Sequence, residues 1–191
     1  MPGKTSDVIT SQHPCTSTHI ILSIRNQLYK IQVLDESGNR ASVSELVRLF
    51  YAASKNSLET SKEPPMGLLT AGHRDTWYKA YELLKASPEN VKNLQEIQNA
   101  QFVVCLDDFA VKSNLDVSHH QIFHGMNARN RWFDKAIQLV VASNGRAGVN
   151  GEVCLFEILI LKKHTPADAV IPGKMMDYIV SRFAYSCFSH I

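Results

Sequence analysis

The chain has 191 residues, enough for one ordinary domain with a real core. Hydrophobic residues make up 45% and charged residues 20%, the balance of a soluble globular protein rather than a disordered or fibrous one. A net charge of +2 is too small to imply nucleic acid or an acidic membrane as partner.

Residues 1–17 are polar and rich in Ser and Thr, which predicts an irregular or extended start. This stretch has no apolar signal-peptide core. HIILSIR and LYKIQVL follow as apolar, β-prone runs, and Asn26-Gln27 between them predicts a hairpin turn. Ser42 with Glu45 is a capping-box pattern. Val43, Leu46, Val47 and Phe50 give the stripe of a first helix. Ser54 to Pro65 reads as a loop, closed by Pro64-Pro65. Trp77, Ala80, Tyr81 and Leu84 mark a second amphipathic helix. Ser87-Pro88 puts a cap residue before a first-turn proline, and Val91, Leu94 and Ile97 carry a third helix from there. Phe102 to Leu106 reads as a buried strand and Leu115 to Phe123 as a helix. Ile137 to Ala142 is a strand, Ser143-Asn144-Gly145 a turn, and Gly148 to Leu161 is expected to pair back. Met175, Met176, Ile179, Val180 and Phe183 line a last helix. Strands mixed with helices predict an α/β fold, a layered mixed sheet with flanking helices.

Several candidate sites fail on their chemistry. The cysteines Cys15, Cys105, Cys154 and Cys187 show no C-x-x-C spacing and fit reduced thiols, with Cys105 in FVVCL a small core residue. His119, His120 and His124 have helical spacing, but no Cys, Asp or Glu cluster completes a zinc set, so no metal site is expected. NGRAGVNG has the wrong glycine order for a dinucleotide loop and reads as a tight turn. Arg129-Asn130-Arg131-Trp132 could suggest a nucleic-acid patch, but reads better as a structural loop. VCLFEILIL is too short to span a bilayer and contains Glu157, so no transmembrane segment is expected.

Three blocks point to one family. They are PMGLLTAGHRDTWYKAYELLKASPENVKNLQEIQNAQFVVCLDD (residues 65–108), HGMNARNRWFDKAIQLVVASNGRAG (residues 124–148) and HTPADAVIPGKMMDYIV (from His164). In this order they resemble the choline/carnitine acyltransferases, most closely the fungal-type carnitine O-acetyltransferases. The hairpin HIILSIRNQLYKIQVLD is similar to the one that precedes these blocks in the family. The resemblance implies a partial coenzyme-A-dependent acyltransferase domain over residues 18–191, after the irregular segment 1–17. It implies acyl transfer between coenzyme A and the hydroxyl of carnitine, with both as substrates and no tightly bound cofactor. It implies mitochondrial or peroxisomal residence, although the terminal SHI is not a peroxisomal address. Only a central segment is matched, and the part of the family that grips coenzyme A and carnitine and donates a hydroxyl to the oxyanion lies outside it.

In the family a Glu-His pair ends a core strand, and an Asp follows four residues after the His. The resemblance therefore assigns His164 as general base, with Glu152 and Asp168 in supporting roles. Here Lys163 stands before His164, because Val153–Lys163 (VCLFEILILKK) separates it from Glu152. Without that insert the text runs NGRAGVNGEHTPADAV. Eleven residues can shift an imidazole by up to roughly 36 Å when extended, and a misplacement of ~1 Å can cost about a hundredfold in rate. Val153-Cys154 can be written as a splice donor and Lys163 can end as an acceptor, so the insert reads as a retained intron. The expectation is a segment that transfers little or no acetyl alone. The alternative is a non-catalytic or partner-dependent α/β module derived from the enzyme.

Overall fold

The computed structural model describes residues 1–5, 7–8, 16–61, 64–124 and 128–151. A five-stranded mixed sheet runs in the order β2-β1-β3-β4-β5. Its centre, β1 (His19–Ile24), β3 (Val103–Asp107) and β4 (Ile137–Ala142), is parallel. Its two flanks, β2 (Gln27–Gln32) and β5 (Ala147–Gly151), are antiparallel hairpin partners of β1 and β4. The helices are α1 (Val43–Glu59), α2 (Arg74–Leu84), α3 (Pro88–Asn99) and α4 (Leu115–His124), with a 3₁₀ turn at Met66–Ala71. The layered α/β expectation holds. None of the described helices is long and apolar enough to cross a membrane.

Alternation along the strands sorts the helices into layers. Ile20, Leu22, Ile31 and Val104 face one side, where Phe50 and Ala53 of α1 close the core. Ile21, Val103, Cys105, Val140 and Ala142 face the other, under Trp77 of α2, Leu94 and Ile97 of α3, and Ile122 of α4. Strand β1 is buried at every position, so its polar residues need partners. His19 Nε2 donates to the Glu96 carbonyl at 2.9 Å, and Ser23 Oγ donates to Asn130 Oδ1 at 2.6 Å.

Local chemistry sets most boundaries. Ser42 caps α1, its Oγ accepting from Glu45 N at 3.2 Å. The helix then runs past the expected loop start: Ser54 to Glu59 is helical, and the loop begins only at Thr60. Ser57 explains the difference. It is fully buried and donates its hydroxyl to the Ser54 carbonyl at 2.7 Å, so a small polar residue occupies the core face. The first hairpin also differs by one residue. Its loop is Arg25-Asn26, with φ of 51° and 67°, and Ile24 pairs with Gln27. Two consecutive positive φ values are those of a type I′ turn, which suits the strand twist. Pro88 opens α3 as expected, but Ser87 makes no side-chain cap bond. Strand β4 has its expected bounds, and the turn to β5 uses Gly145 at φ 76°. The expected strand beyond Gly151 and the helix around Met175–Phe183 lie outside the described residues.

Candidate active-site scaffold

Six consecutive residues, Asn130 to Lys135, tie the molecule together around the end of the sheet. Asn130 accepts from Ser23 of β1 and donates through Nδ2 to the Leu106 carbonyl (2.9 Å) and Asp107 Oδ1 (3.1 Å) of β3. Arg131 forms a bidentate pair with Asp107, Nη1 to Oδ1 and Nη2 to Oδ2, both at 2.8 Å. Its Nε and Nη2 also donate to the Ile122 carbonyl near the end of α4, at 3.1 and 2.9 Å. The Trp132 amide donates to Gln138 Oε1 of β4 at 2.7 Å, and the Phe133 amide to Thr70 Oγ1 of the 3₁₀ turn at 2.9 Å. Asp134 accepts from Arg74 Nη1 and Trp77 Nε1 of α2, each at 2.7 Å. Lys135 Nζ donates to the Gln98 and Ala100 carbonyls at the end of α3.

The electrostatics of this segment are those of a buried scaffold. The Arg131–Asp107 side chains are 0% and 1% exposed. Burial works against the Arg131 charge, but the hydrogen bonds and charge of Asp107 outweigh it and hold the guanidinium above its ordinary range. The same balance raises Arg74, where the bonds to Asp134 and Asp7 overcome partial burial. Arg131 thus points into the protein, as the structural-loop reading of residues 129–132 expects. The close packing is enforced at Gly67, where a Cβ would stand 2.0 Å from the Arg131 carbonyl oxygen.

Strand β5 is the element that leads toward the sequence-assigned catalytic residues. It pairs with β4 from Val141–Ala147 to Ile137–Gly151. Helix α4 lies against it. Gly148 faces Ile122, and Asn150 Nδ2 donates to the Phe123 carbonyl at 3.2 Å. Arg131 and Asn150 therefore hold consecutive carbonyls at the end of α4, one from inside the core and one from the strand. An open hollow of about 350 Å³ between α4 and β5, lined in part by Leu115, His119, Phe123, Arg146 and Val149, stops short of Gly151. Glu152 follows in the chain. Glu152, His164 and Asp168 all lie outside the described residues, as does the whole insert Val153–Lys163.

The residue pattern and its order match a known family. The model for "Choline/Carnitine o-acyltransferase" covers residues 1–189. The chain belongs to the choline/carnitine O-acyltransferase family. Carnitine O-acetyltransferase from Homo sapiens is 30% identical over 190 residues, which is 94% of this chain and 28% of that protein. Mitochondrial carnitine O-palmitoyltransferase 2 from Homo sapiens is 34% identical over 163 residues, covering 81% of this chain and 24% of that protein. Choline O-acetyltransferase from Gallus gallus is 32% identical over 197 residues, covering 97% and 29%. The chain spans about a quarter of the length of these relatives.

The sequence marks NRWFDK as a block but does not show that its residues together anchor three strands, the 3₁₀ turn and three helices. The readable signal was composition: an Asn, an Arg, an Asp and a Lys interleaved with aromatics, immediately before a strand whose Gln138 must be buried. Charged residues in such a place need partners to be stable.

Proposed function

We propose that this chain is the base-bearing segment of a carnitine O-acetyltransferase, in which residues 18–191 form part of the catalytic domain. Family membership supports acyl transfer, and the human carnitine O-acetyltransferase match supports acetyl and carnitine as the groups exchanged with coenzyme A. The single observation that carries the reading is β5. It is a strand anchored on α4 and β4, and Glu152 follows directly in the chain. Compartment follows the family, mitochondrial or peroxisomal; one relative is itself named as mitochondrial.

His164 is the general base in this reading, and Glu152 and Asp168 support it. A neutral imidazole accepts the carnitine hydroxyl proton as the oxygen attacks the thioester carbonyl, a contribution of ~10²–10⁴ in rate. The tetrahedral intermediate collapses with loss of the coenzyme A thiolate, which takes the proton back from the imidazolium. A hydrogen-bond donor stabilises the intermediate oxyanion. In this chain Val153–Lys163 separates the base from the strand that should present it, so the expected activity of the polypeptide alone is little or none.

A second reading is a non-catalytic or partner-dependent module derived from the enzyme, and the eleven residues between Glu152 and His164 favour it. Thiol release from acetyl-coenzyme A in the presence of carnitine tests both. The expected result is release no faster than background. Release that His164→Ala abolishes overturns the inactive assignment and keeps the catalytic one.

A further inference from the structure

We propose that His120 and His124 on α4 form a two-imidazole clamp for a divalent transition-metal ion, Cu²⁺ most tightly and Zn²⁺ more weakly. The residues are one helical turn apart, so both side chains rise from the same face. Their ring centroids are 4.8 Å apart and the planes tilt by 54°. Two nitrogen donors at about 2.0–2.1 Å stand about 2.9 Å apart around tetragonal Cu²⁺ and about 3.3 Å apart around tetrahedral Zn²⁺, separations that rings with centroids 4.8 Å apart reach by side-chain rotation.

The surroundings favour a cation. Both histidines are exposed, and neither ring hydrogen-bonds to another described residue. Asp116 is exposed one turn before His120, on the same face, and adds negative charge. His124 ends the helix, where the carbonyls present the negative end of the helix dipole. The guanidinium of Arg131 offsets part of that field from the buried side, through its bonds to the Gln121 and Ile122 carbonyls. Among the described residues no group of three His, Cys, Asp or Glu could hold a metal together. Water fills the remaining positions, which makes this a surface chelate and not a closed structural site. Copper precedes zinc because imidazole sites follow the Irving–Williams order. His119 belongs to a neighbouring stripe: its ring leans on Phe123 at 5.9 Å and lines the α4–β5 hollow. It therefore serves as the internal control.

The test is calorimetric titration of the tag-free chain with CuCl₂ and with ZnCl₂ at about pH 7.5. Electron paramagnetic resonance of the copper form counts the bound nitrogens. The expected result is one ion per chain with two nitrogen ligands, and binding weakened at least about tenfold by either His120→Ala or His124→Ala. His119→Ala should bind like the parent, and circular dichroism should show all three variants folded. No binding, a smaller loss in either variant, or an equal loss in His119→Ala overturns the clamp.

Discussion

Gly148 of β5 lies under Ile122 of α4 so closely that a Cβ at position 148 would stand 2.5 Å from Ile122 Cγ2. Ile122 is itself buried at 6% exposure, in the core with Cys105 and Val140, and has little room to retreat. The contact fixes the distance between the helix and the strand that leads to Glu152.

Gly148→Ala should therefore destabilise the protein by about 1–3 kcal/mol, the usual cost of overpacking. Urea unfolding reads it as a lower midpoint at unchanged slope. Ile122→Ala removes the obstructing methyl, so the double variant should lose less than the sum of the two single changes. Strict additivity would show that the two residues do not share the space described.

The Arg131–Asp107 pair makes a sharper forecast. Removing one partner leaves an uncompensated buried charge, so Arg131→Met or Asp107→Leu should each cost about 3–5 kcal/mol. Combining the two should recover most of that loss, because no charge is then stranded. The recovery will be incomplete, since the Ile122 carbonyl loses its donors in the double variant. A double variant less stable than both singles would mean that the pair is not the dominant interaction here.

Burial pushes the Cys105 thiol up to about 12, with the Arg131 charge pulling it down and Asp107 pushing it further up. The sign for stability follows directly. An unfolded thiol ionises from about pH 8.5, whereas the folded one stays protonated, so the folded state binds more protons between the two values. Stability attributable to this group is complete below about pH 8.5 and declines as pH rises toward 12. Only the thiolate is nucleophilic, so Cys105 should resist iodoacetamide at about pH 8.5 in native buffer and react after urea is added. Peptide mass spectrometry reads the outcome, and labelling of Cys105 at a free-thiol rate in native buffer would contradict the burial.

The insert yields a prediction at the level of the message. If Val153–Lys163 is a retained intron, the mature transcript lacks its codons and joins Glu152 directly to His164. A transcript that still encodes VCLFEILILKK rules this out. The deletion protein should also scatter less light at equal concentration, because Leu155, Phe156, Ile158 and Ile160 are gone from the polypeptide.

Much of the fold was readable because apolar periodicity and local propensity agreed. Strand β4 and helices α2 and α3 follow directly from Ile137–Ala142, Trp77–Leu84 and Leu94–Ile97. The failures have physical causes. The end of α1 was invisible because Ser57 takes a core position that pattern reading reserves for apolar residues. The hairpin turn shifted by one residue because Arg25, no favoured turn residue, accepts a positive φ. The 3₁₀ turn at Met66–Ala71 has too few residues for a periodic signal. Of the candidate site, family resemblance proposes His164, Glu152 and Asp168, and local pattern alone proposes none of them. The anchoring role of Asn130–Lys135 depends on partners up to 107 positions away in the chain, which no local window contains.

That long reach has a consequence for biosynthesis. Strand β1, the 3₁₀ turn, α2 and α3 leave the ribosome well before the residues that bind them all. Until Asn130–Lys135 emerges, Ser23, Thr70, Trp77 and Asp107 lack the bonds that satisfy them in the finished protein. Contacts so distant in sequence slow folding and leave early intermediates adhesive. Assembly of the sheet and its helices should therefore wait until Asn130–Lys135 has emerged, as a single cooperative step and not as a gradual accretion of elements.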